Sequence, residues 1–470
     1  MLPLQKINKL SNIKNAIYKN SLNKFVALLV SEYKKNPEKS INRLVGMLKI
    51  AKKIAPRGKN EKIRERIGFL INLFENKNPI VLGYYQKIIN KSPKVREKFF
   101  SNLLVEAFLM GRKKRNYFAK TKKLPAPFFF VISPTMRCNL RCQGCYAAQY
   151  KKESDLPYEI IDKIFTDAKQ MGIYFITVSG GEPFIRRDLL NLFAKHNQIF
   201  FQVFTNGTLI DKTLAQQIAN IGNIAPVISI EGFEKETDLR RGKGVFKKIC
   251  QAMDRLKEAG VIFGYSTMPC RHNWRLLVKD DFYQFLEEKG ALFGWFFQYI
   301  PVGKKPNPKL MLTPKQRIEI NKKVNQIRKS MSMFAVDFWT DGPYVKGCLA
   351  GGRNDGGYFH INVYGDIEPC VFIHFAQDNI KEIYAHKGHL WDVLKSDLFC
   401  EIRKGQPWNR DHRMPCMIID NPKCLRKIVK KVKPRPTHPE AQDILCSSQI
   451  VNHLNQYSKE LAKLLSKEHW

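Results

Sequence analysis

The stretch SPTMRCNLRCQGCYAAQY, Ser133 to Tyr150, sets Cys138, Cys142 and Cys145 within eight residues and follows the last with Tyr146. No fourth Cys or His stands close behind it. The apolar run FFFVISP, Phe128–Pro134, enters this loop with the look of a strand, and YEIIDKIFTDAKQMG, from Tyr158, leaves it with helical spacing. The same order then recurs. Strand YFITVSGGEP precedes helix RRDLLNLFAKHN, and strand FFQVFTNGT precedes DKTLAQQIANIG. Strand APVISIEG precedes VFKKICQAMDRLKEAG, IFGYSTMPC precedes LVKDDFYQFLEEKG, and LFGWFFQYIPVG closes the series. About six strand–helix repeats predict an α/β fold, a parallel sheet with right-handed crossovers. An open sheet and an incomplete barrel both suit this rhythm. In either, functional groups gather at the carboxyl ends of the strands, where the cysteine loop, SGGEP, TNGT and SIEG all stand.

Outward from this core the composition changes. Residues 1–125 carry 30 Lys/Arg against 7 Asp/Glu, a net +23 of the chain's +38. Apolar residues recur there at three and four in NKFVALLVSEYKK, INRLVGMLKIAKKIA and RERIGFLINLFENK, so residues 1–124 read as a basic, all-helical domain without strands. The core is expected over 125–312, a linker helix with a Gly- and Cys-rich region over 313–424, and a helical tail over 425–470. The excess charge suits an anionic partner: nucleic acid, an acidic protein or a membrane surface. Aromatic residues are not interleaved with the Lys/Arg clusters as a single-strand stacking platform requires, which favours membrane or protein. No apolar run approaches the ~20 residues of a membrane span. The amino terminus lacks the apolar segment of a secretory signal, so a cytoplasmic location is expected, with peripheral membrane contact compatible with the charge. Eleven cysteines in such a chain point to metal binding and buried thiols rather than disulfides.

Three metal readings fit Cys138-x3-Cys142-x2-Cys145. Structural zinc wants four ligands, normally in two pairs, and no second pair stands at that spacing. A four-thiolate iron–sulfur centre has the same shortage. Three thiolates holding a four-iron cluster leave one iron open to a ligand. Buried structural thiols are the plainer alternative.

Cys-x3-Cys-x2-Cys with a following aromatic, after the first strand of an α/β unit and with SGGEP one strand later, resembles the radical S-adenosylmethionine (SAM) superfamily. The resemblance covers roughly residues 128–420 and implies a partial (β/α)6 barrel. It implies a [4Fe-4S] cluster on Cys138, Cys142 and Cys145 whose open iron chelates SAM. An electron then cleaves the sulfonium, and a 5′-deoxyadenosyl radical abstracts hydrogen from substrate. A reductant such as ferredoxin or flavodoxin would supply that electron. The resemblance gives Gly180 and Gly181 to backbone approach toward the methionyl group and Glu182 to its ammonium. Tyr146 goes beside the adenine, and Thr205 and Asn206 line the pocket. Ser229 is expected on the ribose or carboxylate, and Arg241 near the carboxylate.

The segment GCLAGGRNDGGYFHINVYGDIEPC, with Cys348 and Gly365-x4-Cys370, resembles the start of a SPASM/twitch extension. The tight downstream four-cysteine run is missing. One auxiliary iron–sulfur cluster is therefore expected, on Cys348, Cys370 and Cys416, with Cys424 as a fourth ligand or an open iron in its place. A contrasting reading is a non-catalytic, zinc-stabilised nucleic-acid-binding protein. The acid of SGGEP, beside two glycines at a strand end, argues against it. The substrate is not legible: peptide, protein, lipid or another anionic molecule all fit.

Overall fold

A computed structural model describes residues 21, 24–54, 61–148, 150, 155–354 and 356–467. The first twenty residues of the basic region and the last three of the tail lie outside the described residues. Seven strands run in chain order: β1 (Val131–Ile132), β2 (Phe175–Val178), β3 (Phe200–Thr205), β4 (Ile224–Ser229), β5 (Gly264–Thr267), β6 (Phe293–Phe296) and β7 (Phe334–Asp337). Each pairs in parallel with the next. Beyond β1, β8 (His360–Ile361) adds in parallel and turns back through antiparallel β9 (Ile367–Glu368). The order β7-β6-β5-β4-β3-β2-β1-β8-β9 leaves β7 and β9 as free edges, so the barrel is partial.

The crossovers are helices for local reasons. Asp211 caps Lys212–Ile221 by accepting from the Leu214 amide at 2.7 Å, and Gly222 ends it with φ +81°. Its Leu214, Ala215, Ile218 and Ala219 are buried against the sheet. Repeated around the sheet, this buries strands on both faces, as parallel strands require. One continuous core runs from Phe118 to Leu465, and the linker helix Pro314–Ser330, the cysteine-bearing region and the tail share it.

The basic region divides in two. Residues 24–35 and the helices Pro37–Ile54 and Glu61–Glu75 pack with Pro79–Ile89 around Leu29, Val45, Ile71, Phe74, Tyr85 and Ile89. From Pro79 onward the chain instead plugs the amino-terminal end of the barrel. Val95 packs with Phe200, Ala225, Ile262 and Leu292, flanked by Tyr84, Ile88, Phe99 and Leu103. The Asn102 amide donates to the carbonyls of Asn197 (2.7 Å) and Ile199 (3.2 Å), fixing the plug where β3 begins. With the bottom filled, access lies at the carboxyl ends of the strands. No strand precedes β1 among the described residues.

Candidate cluster and cofactor site

The cysteine loop has almost no regular structure, so its shape comes from what it touches. The Gly181 amide donates to the Thr135 carbonyl at 2.9 Å, and the Glu182 amide to the Arg137 carbonyl at 2.8 Å. This approach leaves no space for a side chain. A Cβ on Gly180 would overlap the Thr135 oxygen, and one on Gly181 would overlap the Arg137 oxygen and sit 2.7 Å from the Met136 carbonyl carbon. Gly180 also has φ +114°, which side chains rarely adopt. The glycines thus seat the cysteine loop itself.

Glu182 lies behind the cavity rather than on its wall, and it is fully buried. Its Oε1 accepts from Thr205 Oγ1 (2.8 Å) and the Phe184 amide (3.1 Å), and its Oε2 from the Asn206 amide (2.7 Å). The carboxylate expected to meet an ammonium is therefore committed to protein donors that hold the Thr205–Asn206 turn. Asn206 passes the constraint on: its Nδ2 donates to Asn139 Oδ1 at 2.8 Å and lies 4.0 Å from Cys138 Sγ.

Cys138, Cys142 and Cys145 line a cavity of about 220 Å³ together with Tyr146, Gly180, Gly181, Thr205, Asn206, Ser229 and Arg241. Tyr146 Oη lies 2.8 Å from Ser179 Oγ, and its ring stacks over His374 at 6.5 Å. Ser229 Oγ lies 3.2 Å from Ser266 Oγ. Arg241 donates from Nε and Nη2 to Glu231 Oε1 (3.0 and 2.5 Å), and its Nη1 lies 3.9 Å from Cys142 Sγ.

Glu231 is the site residue that the sequence reading passed over. It is 1% exposed and bound by both Arg240 (2.5 Å) and Arg241, and its Oε2 accepts from the Met268 amide at 2.9 Å. Burial pushes its carboxyl pKa up, but the two guanidiniums outweigh it and hold the net value below the usual range. The signal was present in SIEG, an acid at a strand end, with two arginines nine and ten residues on.

A second cavity, of about 160 Å³, brings together Cys348, Cys370 and Cys416. Tyr358 Oη lies 2.9 Å from Cys370 Sγ. Cys416 is placed by Asp420, which accepts from its amide at 3.0 Å and pairs with Arg317 of the linker helix at 2.5 Å. Both charges are buried, so each depends on the other to offset desolvation. Cys424 stands on the helix Pro422–Val432, off this cavity wall. The two cavities share Phe129, Trp295, Phe338, Tyr358 and Phe372.

Residues 132–274 match the family model described as the radical SAM superfamily. They form a radical SAM domain. The chain is 28% identical over 251 residues to Fe-coproporphyrin III synthase of Methanosarcina barkeri, covering 49% of this chain and 62% of that protein. It is 29% identical over 173 residues to mycofactocin maturase MftC of Mycobacterium ulcerans, covering 36% of this chain and 46% of the relative. The chain thus spans less than two thirds of either. In fold it is similar to Streptococcus suis SuiB bound to S-adenosylmethionine, with a TM-score of 0.52 and 20% identity over 64% of this chain and 74% of that one.

The residues present fit the cofactors this superfamily uses, a [4Fe-4S] cluster and SAM. Among the described residues no group of three or more His, Cys, Asp or Glu is gathered as a single metal ion requires. Three thiols spread around a cavity suit a multi-atom cluster instead. Burial pushes the Cys138 and Cys145 thiols up, and Cys370 up to about 12, so thiolates at these positions would need a bound metal to stabilise them.

Behind Tyr146 lies a buried network that no sequence spacing announces. Glu368 Oε2 meets His360 Nδ1 at 2.6 Å, and its Oε1 accepts from Tyr150 Oη (2.8 Å) and Thr437 Oγ1 (2.6 Å). The His374 and His438 rings lie 4.5 Å apart. This network joins the radical SAM domain to the tail, where β10 (Phe375–Ala376) pairs with β11 (Arg435–Pro436). Burial, then the neighbouring His374, lowers the His438 pKa to about 4. Burial raises the Glu368 carboxyl, but hydrogen bonds from His360 and His374 outweigh it and hold it far below its usual range.

Both folded values lie below the unfolded ones, about 6.5 for His and about 4.3 for Glu. The Glu368 contribution is lost only as pH falls below about 4.3, whereas the His438 contribution is complete at neutral pH and lost as pH falls through the window from about 6.5 to about 4. Calorimetric melting should show Tm dropping across that window, and His438→Phe should flatten the drop. The Gly181 contact makes a separate prediction. Gly181→Ala should fold, with unchanged far-UV circular dichroism, yet lose most of the iron bound by the first three cysteines, read as iron per chain in a Cys348→Ala background.

Proposed function

We propose that this chain is a radical SAM enzyme that cleaves SAM reductively and abstracts hydrogen from an organic substrate held in the first cavity. One observation carries the reading. Three thiols from one loop face the same cavity as Gly180, Gly181, Ser229 and Arg241, at the carboxyl ends of the strands. When bound there, a reduced [4Fe-4S] cluster supplies the electron that splits the sulfonium and yields the 5′-deoxyadenosyl radical.

The protein's own part is placement. Cys138, Cys142 and Cys145 hold the cluster and leave a position for the amino and carboxylate groups of SAM. Glu182, through Thr205 and Asn206, keeps the loops in register around it. Arg241, bound to Glu231 beside Arg240, lends positive potential beside Cys142. Tyr146 and Ser229 line the SAM pocket, with Tyr146 toward the adenine. Cys348, Cys370 and Cys416, which line the second cavity, would hold an auxiliary iron–sulfur cluster.

The electron would come from a ferredoxin- or flavodoxin-like donor. The basic amino-terminal helices suit an anionic partner outside the barrel, and Ile50 (57% exposed) and Phe69 (63%) give those helices apolar contacts to add. A mycofactocin maturase and an Fe-coproporphyrin III synthase are among its relatives. The alternative, a zinc-stabilised nucleic-acid-binding protein, has no single-ion site among the described residues to support it.

Anaerobically reconstituted protein should be brown and, with dithionite and SAM, release 5′-deoxyadenosine, measured by liquid chromatography. Cys142→Ala should lower release at least ~100-fold, whereas Cys370→Ala should keep part of it, uncoupled from substrate. Colourless protein with stoichiometric zinc and no release would overturn the proposal.

A further inference from the structure

The first cavity differs sharply from the surface around it. The chain carries +38, yet among the described residues the charged groups on this wall are Glu231, Arg240 and Arg241, both arginines bound to the one carboxylate. Aromatic residues are more than twice as frequent on the wall as the 11% of the whole chain. The rings are contiguous. Trp295 and Phe297 lie 5.6 Å apart and within 7° of parallel, Phe204 and Phe338 flank Phe297 at 5.6 and 5.3 Å, and Phe372 follows at 6.3 Å. They come from β3, from β6 and the residues after it, and from two later loops, so the fold and not local sequence assembles them.

Two polar groups on the same wall lack partners. Thr267 Oγ1 and Gln298 Nε2 have no hydrogen-bond partner among the described residues, although the two residues are only 2% and 6% exposed. Leaving a buried donor unpaired costs free energy that a ligand supplying an acceptor there regains. A cationic group entering the cavity would lose its hydration and meet a net positive charge, and an anionic one would find both guanidiniums already bound to Glu231.

We propose that the substrate group entering this cavity is a neutral aromatic ring carrying a hydrogen-bond acceptor. The ring packs against Trp295, Phe297 and Phe338, and its acceptor takes the Gln298 amide and Thr267 hydroxyl. The assignment rests on the reading of this cavity as the reaction chamber. It also separates two features of the chain: the basic exterior engages its partner away from the reacting group.

Equilibrium dialysis of the anaerobically reconstituted protein, with SAM present, tests this with 4-methylphenol, toluene, 4-methylcyclohexanol and 4-methylbenzoate. The phenol should bind about 10-fold more tightly than the cyclohexanol or the benzoate, and several-fold more tightly than toluene. Gln298→Leu should remove the advantage over toluene. Trp295→Leu and Phe338→Leu, checked for unchanged SAM binding, should each weaken the phenol more than the cyclohexanol. Equal binding of phenol and cyclohexanol, tightest binding of the benzoate, or an unchanged preference in Gln298→Leu would overturn the assignment. Ring preference without 5′-deoxyadenosine release would leave it standing and sink the proposed reaction; release without ring preference would do the reverse.

Discussion

The backbone contact between Gly180–Glu182 and Thr135–Arg137 is the constraint on which the rest of the site depends. Two amide-to-carbonyl bonds join segments that approach too closely for any side chain between them. Glu182 then locks the next strand end to the same contact by accepting from Thr205 and Asn206. Three consecutive strand ends are thereby fixed around a loop that could not hold its own shape. A cluster held by three thiolates tolerates little drift in sulfur position, so this rigidity is a chemical requirement as much as a packing one.

Electrostatics follow the same economy. The buried charges of the site are balanced locally, Glu231 by two arginines and Asp420 by Arg317. Every one of these charges has an opposite partner, although the Glu231 trio keeps one net positive charge, and each group orients a cysteine-bearing loop. Arg240 meets Gln143 within the first loop, and Asp420 meets the Cys416 amide in the second. The large positive excess stays on the surface, much of it on helices that plug or flank the barrel bottom. A net-charge argument thus speaks to association, not to the chemistry in the cavity.

The strand–helix rhythm from Phe128 was legible because each unit carries its own period, and the parallel sheet has β2 to β6 where that rhythm puts them. The cysteine loop and SGGEP were legible because their spacing is local. What escaped depends on contacts distant in sequence. His360, Glu368, His374 and His438 meet across more than seventy residues, with no spacing to betray them. β8 is two residues long, too short for periodicity, yet it extends the sheet beside β1. Tyr84, Ile88 and Val95 look like any amphipathic face, and only the packing shows that they close the barrel bottom. Glu231 sat in a segment read for its serine and its second arginine, because its pairing needs the helix Glu234–Arg241 to turn both arginines back.

The central claim is that Cys138, Cys142 and Cys145 leave one corner of an iron cluster free for SAM. Electron paramagnetic resonance of the dithionite-reduced, oxygen-protected Cys348→Ala protein tests it with only the first site loaded. The expected result is a [4Fe-4S]⁺ signal whose g-values move when SAM is added. A signal indifferent to SAM, or none at all in iron-loaded protein, would contradict it.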